Sequence, residues 1–234
     1  MAEKKDPLIK VMTEKGIARF PNLTKPDTKF NPDGEYKVGV ILSQEDAQPI
    51  IDKATAAAEK IMAETKTKLQ DDIKTLKGEK LVKAKKALAE LTMGDWPFKP
   101  VYDDDGNETG DVVLNFKMKA QRKDGKTGQI IKMSPKLFDA KGKDLPKSVD
   151  IWGGSVVKVA GSLNPFYIPG TNTVGVGFRL AAVQVIDLRS SGGGDASSYG
   201  FGKEEGYEVG DDEPTNGEGF GDESNSDPDG ADEF

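Results

Sequence analysis

The sequence predicts a mainly β domain: a small antiparallel barrel with one helical segment inserted between early and late strands, followed by a long acidic tail. Three observations predict it. From Val112 the apolar residues Val112, Leu114, Phe116, Met118 and Ala120 alternate with Val113, Asn115, Lys117, Lys119 and Gln121, the period of two of a strand with one buried face. Between about residues 44 and 93 the apolar period is helical instead. The forty residues from Asp195 onward are polar, Gly-rich and acidic, too poor in apolar side chains to build a core.

The elements follow in order. Ile17 to Pro21 and Tyr36 to Leu42 are rich in β-branched and aromatic residues, and Pro26-Asp27 and Asn31-Pro32-Asp33-Gly34 punctuate them as turns, so two early strands joined by a loop are expected. Ser43, with Asp46 three residues on, reads as a helix N-cap with an acidic first turn. Ile50, Ile51, Ala54, Ala57, Ala58, Ile61 and Met62 then recur at helical spacing, giving a helix from about Gln44 to Lys74. Gly78 interrupts it, and Leu81, Ala84, Leu88 and Leu91 resume a second amphipathic stretch that Gly94 is expected to end.

Asp105-Gly106, between the Val101-Tyr102 and Val112-Val113 segments, is a hairpin signal. The carboxylates of Asp103, Asp104 and Asp105 also suit a hard cation, but the Glu that closes an EF-hand loop is missing. Ile130 to Met133 and Leu137 to Asp139 follow as short strands, with breaks at Gly125 and at Lys141-Gly142-Lys143. Ser155 to Leu163 and Val174 to Leu188 read as two long strands, joined by a loop from Asn164 to Gly170. Such a set of strands with one inserted helical unit fits a five-stranded OB-fold barrel, whose sheet face binds oligonucleotides. The domain is expected over 1–189, with its helical insertion at about 44–93. Ser190-Ser191-Gly192-Gly193-Gly194 begins a linker, and 190–234 is expected to be a flexible acidic tail.

Charge divides the chain in two. The whole sequence carries 33 Lys and Arg against 40 Asp and Glu, a net of −7. Fourteen of those acids and only one Lys lie from Asp195 onward, so the preceding 194 residues are basic, with 32 cations against 26 acids. A basic body with an acidic tail points to a nucleic-acid binder carrying its own competing polyanion. A simple solubilising tail fits the same count. With no Cys and no His, disulfides, zinc sites, Cys-His pairs and Ser-His-Asp triads are excluded, and no cofactor is expected. Gly125-Lys126-Thr127 mimics the end of a phosphate-binding loop, but Ala120 stands where its first Gly belongs. The N-terminus lacks an apolar h-region and no run of eighteen apolar residues occurs, so a soluble cytoplasmic protein without a membrane partner is expected.

Candidate contacts come from cations and aromatics. Lys117 and Lys119, two apart, share one strand face, and Arg122 and Lys123 extend the charge; a solvated outer strand face accounts for the pair equally well. Lys132, Lys158 and Arg179 place cations on other strands. Phe166 and Tyr167, in a loop between Pro165 and Pro169, are the expected base-stacking residues, with a packed loop anchor as the alternative. Phe20 and Trp152 read as structural, and Phe116, Phe138 and Phe178 as core. Two other function classes remain open: a metal-dependent nuclease using Asp103, Asp105 and Asp139, and an acidic-tailed interaction protein that binds basic clients.

Several segments, in order, resemble one family: Lys25-Pro26-Asp27, Asn31-Pro32 with Gly34-x-Tyr36-Lys37-Val38, Gly94-Asp95-x-Pro97-Phe98, Phe116-Lys117-x-Lys119, Asp139-x-Lys141-Gly142-Lys143, Gly153-Gly154 and Ser162-Leu163-x-Pro165. Together with the Phe-terminated acidic tail they resemble the single-stranded DNA-binding protein family of T-seven-type bacteriophages. The resemblance spans roughly residues 16 to 188. It implies an OB-fold that coats single strands during phage replication, recombination and repair, promotes annealing, and meets the replicative polymerase and helicase-primase through its tail in the host cytoplasm. It leaves room for a weak homodimer. On that resemblance Lys119 is a DNA contact, Phe166 a stacking residue in place of Tyr, and Asp232, Glu233 and Phe234 the partner-binding terminus. This chain departs from the family in having Asp33 where an Arg is expected, and Lys25, Lys29 or Lys37 is available instead. The basic stretch Lys80 to Lys86 reads as a solvated helix surface, with a second contact to duplex DNA as the alternative.

Overall fold

The structure is a computed structural model describing residues 8–29, 31–146 and 148–189, so the expectations for the tail, including Asp232, Glu233 and Phe234, lie outside the described residues. Among these residues the order is β1 Lys10–Met12, β2 Gly16–Asp27, β3 Glu35–Ser43, α1 Gln44–Thr75, α2 Glu79–Ala89, β4 Thr92–Met93 and β5 Phe98–Tyr102. Then follow β6 Glu108–Lys119, β7 Gln121–Lys123, β8 Ile130–Lys132, β9 Lys136–Phe138, β10 Val156–Ile168 and β11 Thr173–Asp187. The mainly β class with a helical insertion is as the sequence predicts. No described helix is long and apolar enough to cross a membrane.

Five long strands pair in a closed circuit. β2 pairs β3, β3 pairs β6, β6 pairs β11, β11 pairs β10, and β10 returns to β2 through Val156 opposite Ile17 and Val157 opposite Gly16. The expectation of wholly antiparallel pairing is corrected at β6 and β11, which run parallel with Phe178 beside Phe116 and Arg179 beside Lys117. Parallel neighbours need an intervening crossover, and the chain between them supplies one through β7 to β10. Inside lie Val38, Val40, Leu42, Leu114, Phe116, Val157, Val159, Leu163, Val176, Phe178 and Leu180, all buried. Phe116 and Phe178 stack at 5.1 Å between ring centroids. Val113, on the predicted polar face of β6, is also buried, because its side chain fills the space that Gly39 leaves on the neighbouring strand.

The local rules read from sequence hold where they depend on neighbouring residues. Ser43 caps α1: its Oγ accepts from the Asp46 N–H at 3.1 Å and donates to the Asp46 carboxylate at 2.8 Å. Ala47, Ile50, Ala54, Ala57 and Ala58 face the core. The β5–β6 turn closes through Asp103 N–H to Asn107 O at 2.9 Å, and the Asn107 N–H in turn holds the Asp103 carboxyl below the usual carboxylate range. Gly34 takes φ of 77° in the β2–β3 turn, which a Cβ would strain.

Four further expectations fail. Pro26 and Asp27 are the last residues of β2 rather than a turn. Phe166 and Tyr167 lie on β10 rather than in a loop, opposite Gly175 and Val174, because the β10–β11 ladder runs on to Ile168 opposite Thr173. α2 stops at Ala89, short of Gly94, which β4 carries against β11 so closely that a Cβ would come within 2.7 Å of Thr173. Phe138 is half-buried rather than core, since its three-residue strand lies beside β11 outside the closed circuit. The Phe116 ring is the centre of this packing, and Phe116→Ala is expected to lower unfolding stability by about 3–5 kcal/mol. A urea melt checks this, and a loss under about 1 kcal/mol would mean the ring is not the packing centre described.

Candidate nucleic-acid interface

Alternation decides which side chains leave the core. On β6, Leu114 and Phe116 point inward, so Asn115, Lys117 and Lys119 point outward; on β11 burial of Phe178 and Leu180 turns Gly177 and Arg179 outward. Pairing then sets these residues side by side. Lys37 of β3 stands opposite Lys117 of β6, and Lys117 stands beside Arg179 of β11, giving three cations in one row across three strands.

Like charges at adjacent cross-strand positions repel. Two carboxylates offset part of that repulsion: Asp27 meets Lys37 Nζ at 2.6 Å, and Glu35 meets Lys117 Nζ at 3.3 Å. The Lys37 ammonium, followed by the Lys29 backbone N–H, holds the Asp27 carboxyl below its ordinary range, so this carboxylate stays ionised further into acid than a free one. Among the described residues, no carboxylate pairs with Arg179. Beneath the row the stacked rings of Phe116 and Phe178 sit in the same register positions, so the backbone carrying Lys117 and Arg179 rests on packed aromatic carbon.

Three concavities share lining residues and make one path over this face. At one end Lys99, Lys117, Lys119, Arg122, Arg179 and Gly177 line a hollow of about 570 Å³. Lys99, Asn115 and Lys117 continue into the next, where Arg19, Phe20 and Lys37 join them. Phe20 and Lys37 lead into a third, of about 640 Å³, with Lys25 and Trp152. A cationic groove with an open floor suits an extended polyanion whose bases lie flat. Gly177 contributes to that floor: a Cβ there would touch nothing within 4 Å, so packing does not require the glycine.

The structure thus brings together Lys117, Lys119, Arg122 and Arg179, with Lys25 at the far end of the same path. Lys158 stands elsewhere, its Nζ 3.4 Å from Glu14 and its side chain 23% exposed. Phe166 and Tyr167 are both half-buried. The Phe166 ring covers Gly175, on the face that Asn164 presents to the groove, while the Tyr167 hydroxyl donates to Asn172 at 3.3 Å. Asp33 is structural, because its carboxylate accepts from Gln121 Nε2 at 2.7 Å and so ties the β2–β3 turn to the arm that carries Arg122. Lys80, Lys83, Lys85 and Lys86 are exposed on α2.

Sequence reasoning missed Lys99 and Arg19 and took Phe20 and Trp152 for structural residues. Both rings are in fact exposed, Phe20 to 75% and Trp152 to 47%. Phe20 also has φ of 48°, a conformation that costs a bulky residue on the order of 1–3 kcal/mol. The only signal in the sequence is the Arg19-Phe20-Pro21 cluster. The carboxylates of the nuclease reading do not assemble: Asp103 and Asp139 each accept backbone N–H groups in separate turns, and among the described residues no three metal-binding side chains gather.

Comparison with known proteins identifies the family of the chain. The family model described as single-stranded DNA-binding protein, bacteriophage T7, matches residues 15–188. A single-stranded DNA-binding protein of Enterobacteria phage T3 is 29% identical over 183 residues, covering 75% of this chain and 74% of its own. Its counterpart from Escherichia phage T7 is 28% identical over 179 residues, covering 76% of this chain and 72% of its own. The crystal structure of gp2.5, a single-stranded DNA-binding protein encoded by bacteriophage T7, superposes with a TM-score of 0.60 at 25% identity, covering 87% of this chain and all of that one. With well over half of its length matched by the family model, this chain belongs to the bacteriophage T7 single-stranded DNA-binding protein family.

Proposed function

We propose that this protein binds single-stranded DNA without reading its sequence, laying the strand along the groove so that Lys37, Lys117, Lys119, Arg122 and Arg179 hold phosphates. The cross-strand row of Lys37, Lys117 and Arg179 carries this reading, because three adjacent cations repel one another until a polyanion lies over them. The closed circuit of five strands is, on this reading, an OB-type barrel, and the groove is its oligonucleotide face. Phe166, over Gly175 at the Arg179 end, supplies an edge on which a base rests. Coating and protecting a strand this way needs no catalysis.

Family membership and the single-strand binding of its phage relatives support the same reading. We extend it to the tail: the carboxylates after Asp195 compete with DNA for the basic groove. DNA then releases Asp232, Glu233 and Phe234 to recruit the polymerase and helicase-primase during phage replication.

Two measurements check these claims. Arg179→Gln is expected to weaken oligo-dT binding about 3- to 10-fold at moderate salt, whereas Lys158→Gln, whose cation already faces Glu14, changes it less than twofold. The reverse ranking in a fluorescence titration would move the path off this face. Removing residues 195–234 is expected to tighten oligo-dT binding at low salt, with the gain shrinking as salt rises, since the competition is electrostatic. Equal affinity with and without the tail at every salt concentration would make the tail a solubilising segment.

A further inference from the structure

We propose that Phe20 and Trp152 form a separate base-stacking platform at the β2 end of the groove, remote in sequence from the Phe166 edge. The proposal rests on the reading of the groove as a single-strand path and names two residues that take bases there. Both rings line the same concavity, together with Lys25 and Lys37. Each is too exposed to serve as a core anchor: Phe20 keeps three-quarters of its surface in solvent and Trp152 nearly half.

The backbone holds both rings out. Phe20 sits at positive φ where the β2–β3 register slips between Arg19 and Asn22, so the ladder bulges at this residue and turns its ring outward. The Arg19 guanidinium lies over one face of the ring, 5.3 Å from its centroid, and leaves the opposite face for a base. Trp152 rides on a loop fastened at several points. Thr24 Oγ1 donates to Asp150 at 2.8 Å, Gly154 N–H donates to Ala18 O at 2.9 Å, Ala18 N–H donates to Ser155 O at 2.8 Å, and Trp152 N–H reaches Arg189 O. Ile151, next to it, is buried. The indole is therefore exposed on an ordered scaffold, and little ordering remains to be done when a base arrives.

The chemistry admits one ligand class. Two exposed aromatic faces with Arg19, Lys25 and Lys37 around them match an unstacked nucleobase flanked by phosphates, and a duplex offers no free base face. Asp27 and Asp150, the acids of this concavity, are each engaged, by Lys37 and by Thr24.

The test uses the full chain and oligo-dT carrying 5-iodouracil. Ultraviolet crosslinking followed by peptide mapping is expected to mark the segments containing Phe20 and Trp152. Phe20→Leu and Trp152→Leu are each expected to weaken oligo-dT affinity by about 5- to 100-fold, the range for loss of one stacked base, with the melting temperature not lowered. Phe20→Tyr is expected to bind as the unsubstituted protein does. Crosslinks confined to other segments, together with unchanged affinity of both Leu variants, would overturn the platform while leaving the single-strand reading intact. Failure of the unsubstituted protein to bind oligo-dT would overturn both.

Discussion

Three cations in one cross-strand row set the terms for the rest of the sheet. Lys37, Lys117 and Arg179 are aligned by backbone pairing, so none can escape the others except by rotating its side chain. Their repulsion works against folding in the free protein, and the fold answers it in two ways. Below the row, Phe116 and Phe178 stack inside the core and fix the strands that carry it. Beside it, Asp27 and Glu35 lend one negative charge each to Lys37 and Lys117, leaving Arg179 without a described partner. The Lys117–Glu35 pair, with the Lys117 side chain 60% exposed, is of modest strength and a phosphate can replace it at little cost, while the closer, part-buried Lys37–Asp27 pair holds its cation more firmly. A face arranged this way gains most from a ligand that brings several negative charges at once.

Much of the fold was legible because it follows from residues close in sequence. The Ser43–Asp46 cap, the hairpin turn at Asp105-Gly106 and the helical period after Ile50 stand in the structure as the sequence predicts, and the alternation along β6 holds except at Val113, which is buried. What was not legible depends on long-range pairing. No local pattern says that β6 and β11 run parallel, yet that pairing alone sets Lys117 beside Arg179. Phe166 and Tyr167 looked like loop residues because Pro165 and Pro169 flank them, but the ladder continues past Pro165, and Gly175 on the partner strand leaves room for the Phe166 ring. Phe20 was taken as structural for a related reason: nothing local in Arg19-Phe20-Pro21 shows the register slip in β2 that turns the ring out. Lys158 shows the opposite error, a strand cation whose neighbour Glu14 answers it away from the groove.

The basic body inferred from charge counting is therefore not uniformly basic in its effect. Cations on α2 face solvent on a helix surface, while those of β2, β3, β6, β7 and β11 converge on one path. Net charge pointed to a polyanion as the partner; the register gathers these cations on the face where we propose it lies.

The most direct test of this account is the salt dependence of oligo-dT affinity for the full chain and for the triple variant Lys37→Gln, Lys117→Gln, Arg179→Gln. If each cation neutralises one phosphate, counterion release predicts a log–log slope shallower by about 2 in the variant than in the parent. An unchanged slope, with the variant folded, would contradict the claim that this row holds the strand.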